Sequence, residues 1–312
     1  MTVSETLWNR RAVRIARNGA PGRTRERRGA GRALLSAAPY LLPAVVLLAV
    51  FRLYPIAYGL WLSVTREGRW IGFGRYRVML EDPTLHRALL NDLVFVAVLP
   101  LWIFLPLIVA VLIHGRIWLW KFFLAVFFLP AILSPVLLGI YYSLILGHGG
   151  PVNTLLDSVH LGSLSRDWLV DPGSALPVVL AVYMWSNIGV GVLFFTSALG
   201  SLDRELFEAA LLDGCSWWQR LRLVIVPQLR PVFEFYATVT IIGIFTALLP
   251  LVYSLTGGGP ANTTMVVDLY VYQTAFSFNN PDYATAMGML VFAFALLFVL
   301  VELRLLKRLV RD

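Results

Sequence analysis

The sequence has few side chains that carry reactive chemistry. Among its 312 residues there is one cysteine, Cys215, with four histidines and 14% charged residues. A single cysteine excludes an internal disulfide framework and a cysteine-rich metal site. The histidines are scattered and show none of the spacing that metal ligands require; they are His86, His114, His148 and His160. We therefore expect no metal site in this chain.

The chain also lacks a nucleotide-binding loop. No Gly-x-x-x-x-Gly-Lys-[Ser/Thr] pattern occurs, so no P-loop of this chain holds the phosphates of ATP. No catalytic constellation of nucleophile, acid and base is present either. We therefore expect a protein that is not an enzyme and has no cofactor of its own. Any chemical energy that it uses has to come from a partner chain.

Long apolar runs dominate what is present. Hydrophobic residues make up 58% of the chain and the mean hydropathy is +0.74, which is typical of a polytopic membrane protein. A membrane-spanning helix needs about 20 apolar residues. The sequence therefore predicts an all-α fold with six transmembrane helices, over 34–64, 88–113, 122–146, 176–199, 232–255 and 283–306. A short amphipathic helix is predicted at 265–276, before the last span.

Positive charge is distributed unevenly along the chain. Residues 1–32 contain nine arginines, which predicts a disordered basic tail near anionic membrane lipid rather than an arm that binds nucleic acid. If this tail is cytoplasmic, 19 Lys and Arg residues lie inside and 6 lie outside, in agreement with the positive-inside rule. Both termini are then predicted to be cytoplasmic. The weak point of this count is the first outer loop, which contains five arginines.

The most polar internal segment, residues 200–231, has the pattern of a helix, a turn and a second helix. Gly214 is predicted to end the first helix, since glycine accepts the left-handed conformation. The residues Ser216–Gln219 are spaced as a capping box, which starts a second helix. Pro227 and Pro231 are predicted to end or kink that helix. The charge count places the hairpin in the cytoplasm, although the pattern also fits an ordinary connection between two spans.

This hairpin resembles the EAA loop of ATP-binding-cassette importer permeases. The resemblance lies in Glu208-Ala209-Ala210, three further residues and Gly214, followed by an apolar stretch that closes on Pro227. It is similar to the carbohydrate-uptake branch of the binding-protein-dependent transport inner membrane component family. Three segments depart from the family pattern: Leu202-Asp203 stands in place of Ile-Pro, Cys215 in place of Ala, and Val224-Ile225-Val226-Pro227 in place of Ile-x-Leu-Pro.

The resemblance extends over roughly residues 35–310. Further matching segments are Tyr54-Pro55-Ile56, Gly72-Phe73-Gly74-Arg75-Tyr76, Asp82-Pro83 with Asn91, Ser134-Pro135, Gly257-Gly258-Gly259-Pro260 and Tyr272-Gln273-Thr274-Ala275-Phe276. Arg75 replaces the asparagine that is usual in the family. We expect a basic tail at 1–32 and a permease domain at 33–312 with the fold of a type I importer transmembrane domain.

The resemblance implies a set of partners and a coupling site. The partners are a second permease subunit, which in this family is commonly a different chain, a cytoplasmic ATPase dimer that holds ATP and Mg²⁺, and an extracytoplasmic solute-binding protein. The hairpin is expected to dock in a groove of the ATPase. The implied coupling residues are Glu208, Ala209, Ala210, Asp213, Gly214 and Pro227. The location implied is a bacterial inner membrane.

A solute pathway is harder to predict. Tyr183 and Asn187 are four residues apart on one face of the fourth span, and a polar and aromatic stripe suits a sugar. Thr246 lies where the family often has a pathway Asn or Asp. The alternative for Asn187 is a hydrogen bond between helices. Among the ionisable residues within spans, Asp92, Glu234 and Glu302 are expected to reach an interface. Arg52 has either a snorkelling or structural pairing role or a role in the pathway.

The leading hypothesis is the permease subunit of an ATP-driven importer for a sugar or sugar-like solute. A secondary transporter or channel without an ATPase is the alternative, and it predicts internal repeats and midplane charges that the sequence does not show. A membrane enzyme or scaffold ranks lower, because it would need clustered His, Asp or Glu near one face.

Overall fold

We analysed a computed structural model, which describes residues 39–115, 119–202, 205, 209–210 and 212–309. The predicted basic tail at 1–32 lies outside the described residues. The architecture is helical, and the only sheet in the described part of the chain pairs β1 (Thr65–Arg66) with β2 (Arg69–Trp70). The prediction of an all-α fold is confirmed.

The helices follow one another in chain order. They are α1 (Pro39–Val64, with a π-helical turn at Ala49–Leu53), α2 (Gly74–Met79), α3 (Pro83–Ala97), α4 (Leu99–His114), α5 (Trp120–Ile132), α6 (Pro135–Ile145), α7 (Pro151–Ser158), α8 (Ala175–Gly200), α9 (Trp217–Gln228, with a π-helical turn at Leu221–Ile225), α10 (Arg230–Thr246), α11 (Leu249–Leu255), α12 (Val267–Tyr272, continued by a π-helical turn at Gln273–Ser277) and α13 (Pro281–Leu309).

Four of these segments are long and apolar enough to cross a membrane. They are Pro39–Val64, Pro83–His114, Ala175–Gly200 and Pro281–Arg304. Two bent helix pairs, α5 with α6 and α9 with α10, bring the number of candidate spans to six if each pair is one span. The apolar length of these helices matches the membrane protein that the sequence predicted.

Proline explains where the predicted spans break. Between α5 and α6 the chain turns by 102°, because Pro135 starts α6 and holds Ser134 in an extended conformation with ψ 133°. The predicted fifth span is divided in the same manner. It stops at Thr246, and Pro250 lies in the first turn of α11.

The chain divides into two compact units, residues 1–59 and 60–312. In the first unit, the rings of Tyr54 and Tyr58 stack with centroids 5.9 Å apart. The second unit contains two hydrophobic clusters. One cluster, which we call the hairpin end, includes Leu107, Ala110, Ile113, Ile188, Val192, Phe195, Leu199, Leu221, Ile225, Leu229 and Tyr236.

The other cluster of the second unit surrounds the turn Gly257–Pro260, and we call it the glycine-turn end. It includes Leu85, Phe95, Trp102, Val179, Tyr183, Ile244, Leu251, Val266, Leu269 and Met287. α8 contributes to both clusters, with Val179 at one end and Leu199 at the other. This helix therefore connects the two ends of the unit.

Candidate functional site

The turn of the predicted hairpin has the backbone geometry of a helix end closed by glycine. Gly214 has φ +73°, in the left-handed region where a side chain would be strained. The amide of Cys215 donates to the carbonyl of Ala210 at 3.0 Å, which is the long-range bond of a Schellman motif. The prediction that Gly214 ends the first helix of the hairpin is confirmed.

The second helix of the hairpin begins with a complete capping box. The amide of Gln219 donates to the Ser216 hydroxyl at 3.3 Å, and the amide of Ser216 donates to Gln219 Oε1 at 2.7 Å. These two bonds satisfy donors that a helix N-terminus otherwise leaves unpaired. The sequence prediction of this cap is confirmed, and the cap fixes where α9 starts.

Pro227 lies in the last turn of α9, and the break in the helix predicted near Pro227 and Pro231 is present. A π-helical turn over Leu221–Ile225 precedes Pro227, and a π turn is a common way to accommodate a residue that lacks an amide donor. The helix continues to Gln228, and the chain then bends by 74° into α10. Pro231 lies in the first turn of α10, where its missing amide removes no helical bond.

The second helix of the hairpin packs against the membrane helices through apolar side chains. Leu221, Ile225 and Leu229, spaced by four residues, form one buried face of α9 and the bend after it. They belong to the hairpin-end cluster together with Leu107 of α4 and Phe195 of α8. This helix is therefore packed directly against residues of α4 and α8.

The predicted coupling residues are distributed around the turn. Ala210 is buried, whereas Ala209, Asp213 and Pro227 are exposed. The amide of Asp213 donates to the carbonyl of Ala209 at 2.9 Å. Glu208 lies outside the described residues, so its coupling role remains a prediction.

The hairpin exposes two large apolar side chains that sequence reasoning missed. Leu212 is 89% exposed beside the turn, and Trp218 is 66% exposed at the start of α9, with its ring 4.7 Å from that of Trp217. Exposed apolar residues on a polar segment are a common feature of protein contact surfaces. The signal in the sequence was a leucine and a Trp-Trp pair inside an otherwise polar loop.

The three predicted pathway residues have different environments. Tyr183 is 9% exposed, and its ring packs edge-on against Phe95 and Trp102 with centroids 5.8 and 5.1 Å away. Asn187 is partly buried, and its amide donates to the carbonyl of Tyr183 at 2.9 Å. Thr246 is exposed and donates to the carbonyl of Ile242 at 2.7 Å. Their role in a pathway remains a prediction.

The expectation that intramembrane carboxyls reach an interface is wrong for Asp92, which is 0% exposed. The start of α12 lies against it, with the amide of Val267 3.4 Å from its Oδ2. Glu302 is partly buried and accepts a hydrogen bond from Thr238 at 3.0 Å, and Glu234 lies 3.4 Å from Arg230 on the same helix. Arg52 is exposed within the π-helical turn of α1.

A polar network holds the glycine-turn end together. Asn91 donates to the carbonyls of Thr263 and Met265 at 3.0 and 2.7 Å, and both of these bonds are buried. Asp82 caps α3 by accepting the amides of Thr84 and Leu85. This network attaches the segment that follows the glycine turn to α3.

Tyrosine and arginine side chains extend the network to α13. The hydroxyls of Tyr270 and Tyr283 donate to Asp82 at 2.8 and 3.0 Å. Arg75, whose side chain is 11% exposed, lies 2.7 Å from Asp282 and donates to the carbonyls of Leu62 and Thr65 at 2.6 and 2.5 Å. Sequence reasoning noted Arg75 only as a departure from a family pattern, whereas it joins two segments separated by about 200 positions.

Comparison with known proteins agrees with this architecture. The model of the family described as "Binding-protein-dependent transport system inner membrane component" matches residues 33–312. The lactose transport system permease protein LacF of Rhizobium radiobacter is 32% identical over 247 residues, which cover 77% of this chain and 83% of that protein. The arabinooligosaccharides transport system permease protein AraP of Bacillus subtilis is 28% identical over 279 residues, with 86% and 88% covered.

A solved structure has the same fold. A crystal structure of a bacterial ABC transporter involved in the import of the acidic polysaccharide alginate superimposes with a TM-score of 0.77 over 91% of this chain and 99% of that chain, at 22% identity. The membrane-length helices and the match to this family define the membrane component of a transport system. The chain belongs to the binding-protein-dependent transport system inner membrane component family. It is a multi-pass inner-membrane protein and a permease subunit of a binding-protein-dependent importer.

Proposed function

We propose that this chain is the permease of an ATP-driven sugar importer and that it moves its solute by alternating access coupled to a partner ATPase. The hairpin carries this proposal. It exposes Leu212 and Trp218 at its surface while Leu221, Ile225 and Leu229 are buried among the membrane helices. A contact made at the exposed surface is therefore transmitted into α4 and α8 through packed side chains.

The proposed partner at the hairpin is a cytoplasmic ATPase dimer. ATP and Mg²⁺ are bound by that dimer, because this chain has no P-loop and catalyses no hydrolysis itself. Glu208, Ala209, Ala210, Asp213, Gly214 and Pro227 form the coupling site, with Leu212 as an apolar contact beside it. This arrangement requires both termini to be cytoplasmic, which labelling of cysteines introduced near each end of the chain, in intact cells and in inverted vesicles, would test.

Two further proposed partners complete the transporter. A second permease supplies the second hairpin for the ATPase dimer. The most apolar stretch of 18 residues in α1 has no buried residue, and it is available to contact this second permease. A solute-binding protein delivers the solute from the outside. Membrane lipid surrounds the remaining apolar surface.

Sugar is the proposed solute because two relatives are named for the transport of lactose and of arabinooligosaccharides. Tyr183, Asn187 and Thr246 are the proposed pathway residues. An aromatic ring stacks on the apolar face of a sugar, and the amide and hydroxyl groups form hydrogen bonds to its hydroxyls. In this conformation Tyr183 is buried, so the pathway role requires α3, α4 and α8 to move apart around it.

The test of the coupling proposal uses the complete transporter in proteoliposomes, with labelled lactose and arabinooligosaccharides as solutes. Leu212→Asp should leave insertion and assembly of the membrane helices unchanged but reduce ATP-dependent uptake by about tenfold or more, because a charge replaces an apolar contact at the docking surface. The double variant Glu208→Ala, Gly214→Pro should abolish it. Normal uptake by both variants would refute coupling through this hairpin.

Leu155→Asp is the matched control. Leu155 is an exposed leucine of α7, away from the hairpin, and its replacement should leave uptake unchanged. Uptake that continues without ATP and follows an ion gradient would instead support the alternative of a secondary transporter. Co-purification in mild detergent provides an independent check, since absence of an ATPase from the purified complex would contradict the proposal.

A further inference from the structure

A buried carboxyl group of α3 has too few hydrogen-bond donors for an anion. Asp92 is 0% exposed, and the amide of Val267 approaches its Oδ2 only to 3.4 Å. Its Oδ1 is buried and has no hydrogen-bond partner among the described residues. An ionised carboxylate in such surroundings is strongly disfavoured, whereas the neutral acid is tolerated.

A second carboxyl group, that of Asp268, accepts hydrogen bonds at both of its oxygens. Asp268 Oδ2 accepts the amide of Leu249 at 2.7 Å, and its Oδ1 accepts the amide of Leu269 at 2.8 Å. These amides favour the ionised form, while burial raises the pKa of Asp268 to about 6. Because two amides donate to it, Asp268 is the better site for a negative charge, and that charge repels a second one on Asp92.

No basic side chain compensates this pair in the described part of the chain, where neither carboxyl forms a salt bridge. The titratable groups with described side chains on the helices around α3 are Asp268, Tyr270 and Tyr272 on α12, Tyr183 on α8, Arg230, Glu234 and Tyr236 on α10, His114 on α4, and Asp282, Tyr283, Glu302 and Arg304 on α13. On α3 itself, His86 and Arg87 are exposed, and Asp82 is the N-cap. All three residues lie one to three helical turns from Asp92. None of these groups supplies a cation to Asp92.

We propose that Asp92 and Asp268 form a proton-binding pair in which Asp92 is the neutral acid and Asp268 the anion. The proton allows α12 to pack on α3, and the Asp268 carboxylate then caps α11 through Leu249. The proton on Asp92 therefore controls how the segment from α11 to α12 packs against α3. This inference does not rest on the proposed transport function.

The protonation of Asp92 is tested by infrared spectroscopy of the purified full-length protein at neutral pH. A protonated carboxyl gives a carbonyl stretching band that shifts in D₂O, and we expect Asp92→Asn to remove it. Glu302→Gln is the matched control, because Glu302 is the other described carboxylate with a buried unpaired oxygen, at the far end of α13. Loss of the band in Glu302→Gln instead, or absence of the band from the wild type, would overturn the proposal.

The pH dependence of thermal unfolding gives a second readout. The native state holds a proton that the unfolded chain releases, so stability should fall as the pH rises. We expect the wild-type Tm to fall by about 5 °C or more between about pH 5 and about pH 9. In Asp92→Asn, which keeps the shape without a charge, at least half of that fall should disappear. A fall of unchanged size would contradict the assignment.

The two carboxyls should also respond differently to the same substitution. Asp92→Asn should retain the wild-type Tm at neutral pH or raise it, whereas Asp268→Asn replaces one amide-accepting oxygen by a donor and should lower the Tm. Equal losses in both variants would refute the assignment of one acid and one anion. If Asp92→Asn does not accumulate, the infrared spectrum of Glu302→Gln decides alone: a pH-sensitive band supports the pair, and its absence overturns it.

Discussion

The two ends of the larger unit are held together by different forces. At the hairpin end, Leu221, Ile225 and Leu229 pack on Leu107 and Phe195, and the cohesion is apolar. At the glycine-turn end, an apolar cluster is supplemented by hydrogen bonds that Asn91 and Arg75 donate and that Asp82 and Asp268 accept, and those of Asn91 are fully buried. The first kind of contact is non-directional, while the second works in one geometry only.

This difference has a mechanical consequence. Apolar packing transmits a push without specifying one register, since a rigid face can slide or tilt against its neighbours. Buried hydrogen bonds lock their partners, because a displacement that breaks them leaves unpaired polar groups. We therefore expect the hairpin end to move like a lever. At the glycine-turn end, we expect the segments joined by the hydrogen bonds of Asn91 and Arg75 to move together.

The largest effect should come from removing apolar volume at the hairpin end. Phe195 is fully buried there, so Phe195→Ala should lower the free energy of unfolding by about 3–5 kcal/mol through lost burial and a cavity. The measurement is denaturant unfolding in detergent. Phe292→Ala, at an exposed phenylalanine of α13, is the control and should have little effect. Equal losses would show that the cluster is not the source of cohesion.

A somewhat smaller effect is expected when the buried hydrogen bonds that Asn91 donates at the glycine-turn end are removed. Asn91→Leu should cost about 2–4 kcal/mol, because the carbonyls of Thr263 and Met265 lose their buried donor. The control is Asn187→Leu, which should cost much less, because the Asn187 amide donates to Tyr183 and Ser186 of its own helix. Faster hydrogen exchange around Thr263–Val267 in Asn91→Leu would locate the loss. If the two variants behave alike, the effect is not specific to the hydrogen bonds of Asn91.

Arg75 provides the next test. Arg75→Gln should cost about 1–3 kcal/mol, because a charge-assisted pair and two carbonyl contacts are lost from a side chain that is 11% exposed. Thermal unfolding is the measurement. Arg69→Gln, at an exposed position of the neighbouring strand, should change the Tm little. A large loss in the control would indicate a general effect of positive charge in this loop.

The smallest effect should come from the cap of the hairpin. Ser216→Ala removes one side-chain bond at the start of α9 and should cost about 1 kcal/mol. Ser216→Asp keeps a cap and should restore the loss, which a scan of Tm can resolve. Failure of Asp to restore it would mean that the hydroxyl acts by packing. Because α9 is also held by apolar contacts, the hairpin should remain folded in both variants.

Local rules were enough to predict the hairpin but not the contacts of the polar network. Gly214 and the Ser216–Gln219 box were predicted from residue type and spacing, because helix ends are determined by neighbours a few positions apart. The burial of Asp92 was not, since the segment that lies against it is about 175 positions away. The same holds for the link between Arg75 and Asp282.

The sequence by itself determined the membrane class, the helical fold, the approximate spans and the ends of the hairpin helices. Each of these follows from hydrophobic length, from proline and glycine, or from capping pairs, all of which act over short distances. Only the tertiary structure decided that Asp92 is enclosed beside Asp268, that Tyr183 lies in the core and that Leu212 is exposed at the turn. Those outcomes depend on which distant helices come into contact, and periodicity does not encode that choice.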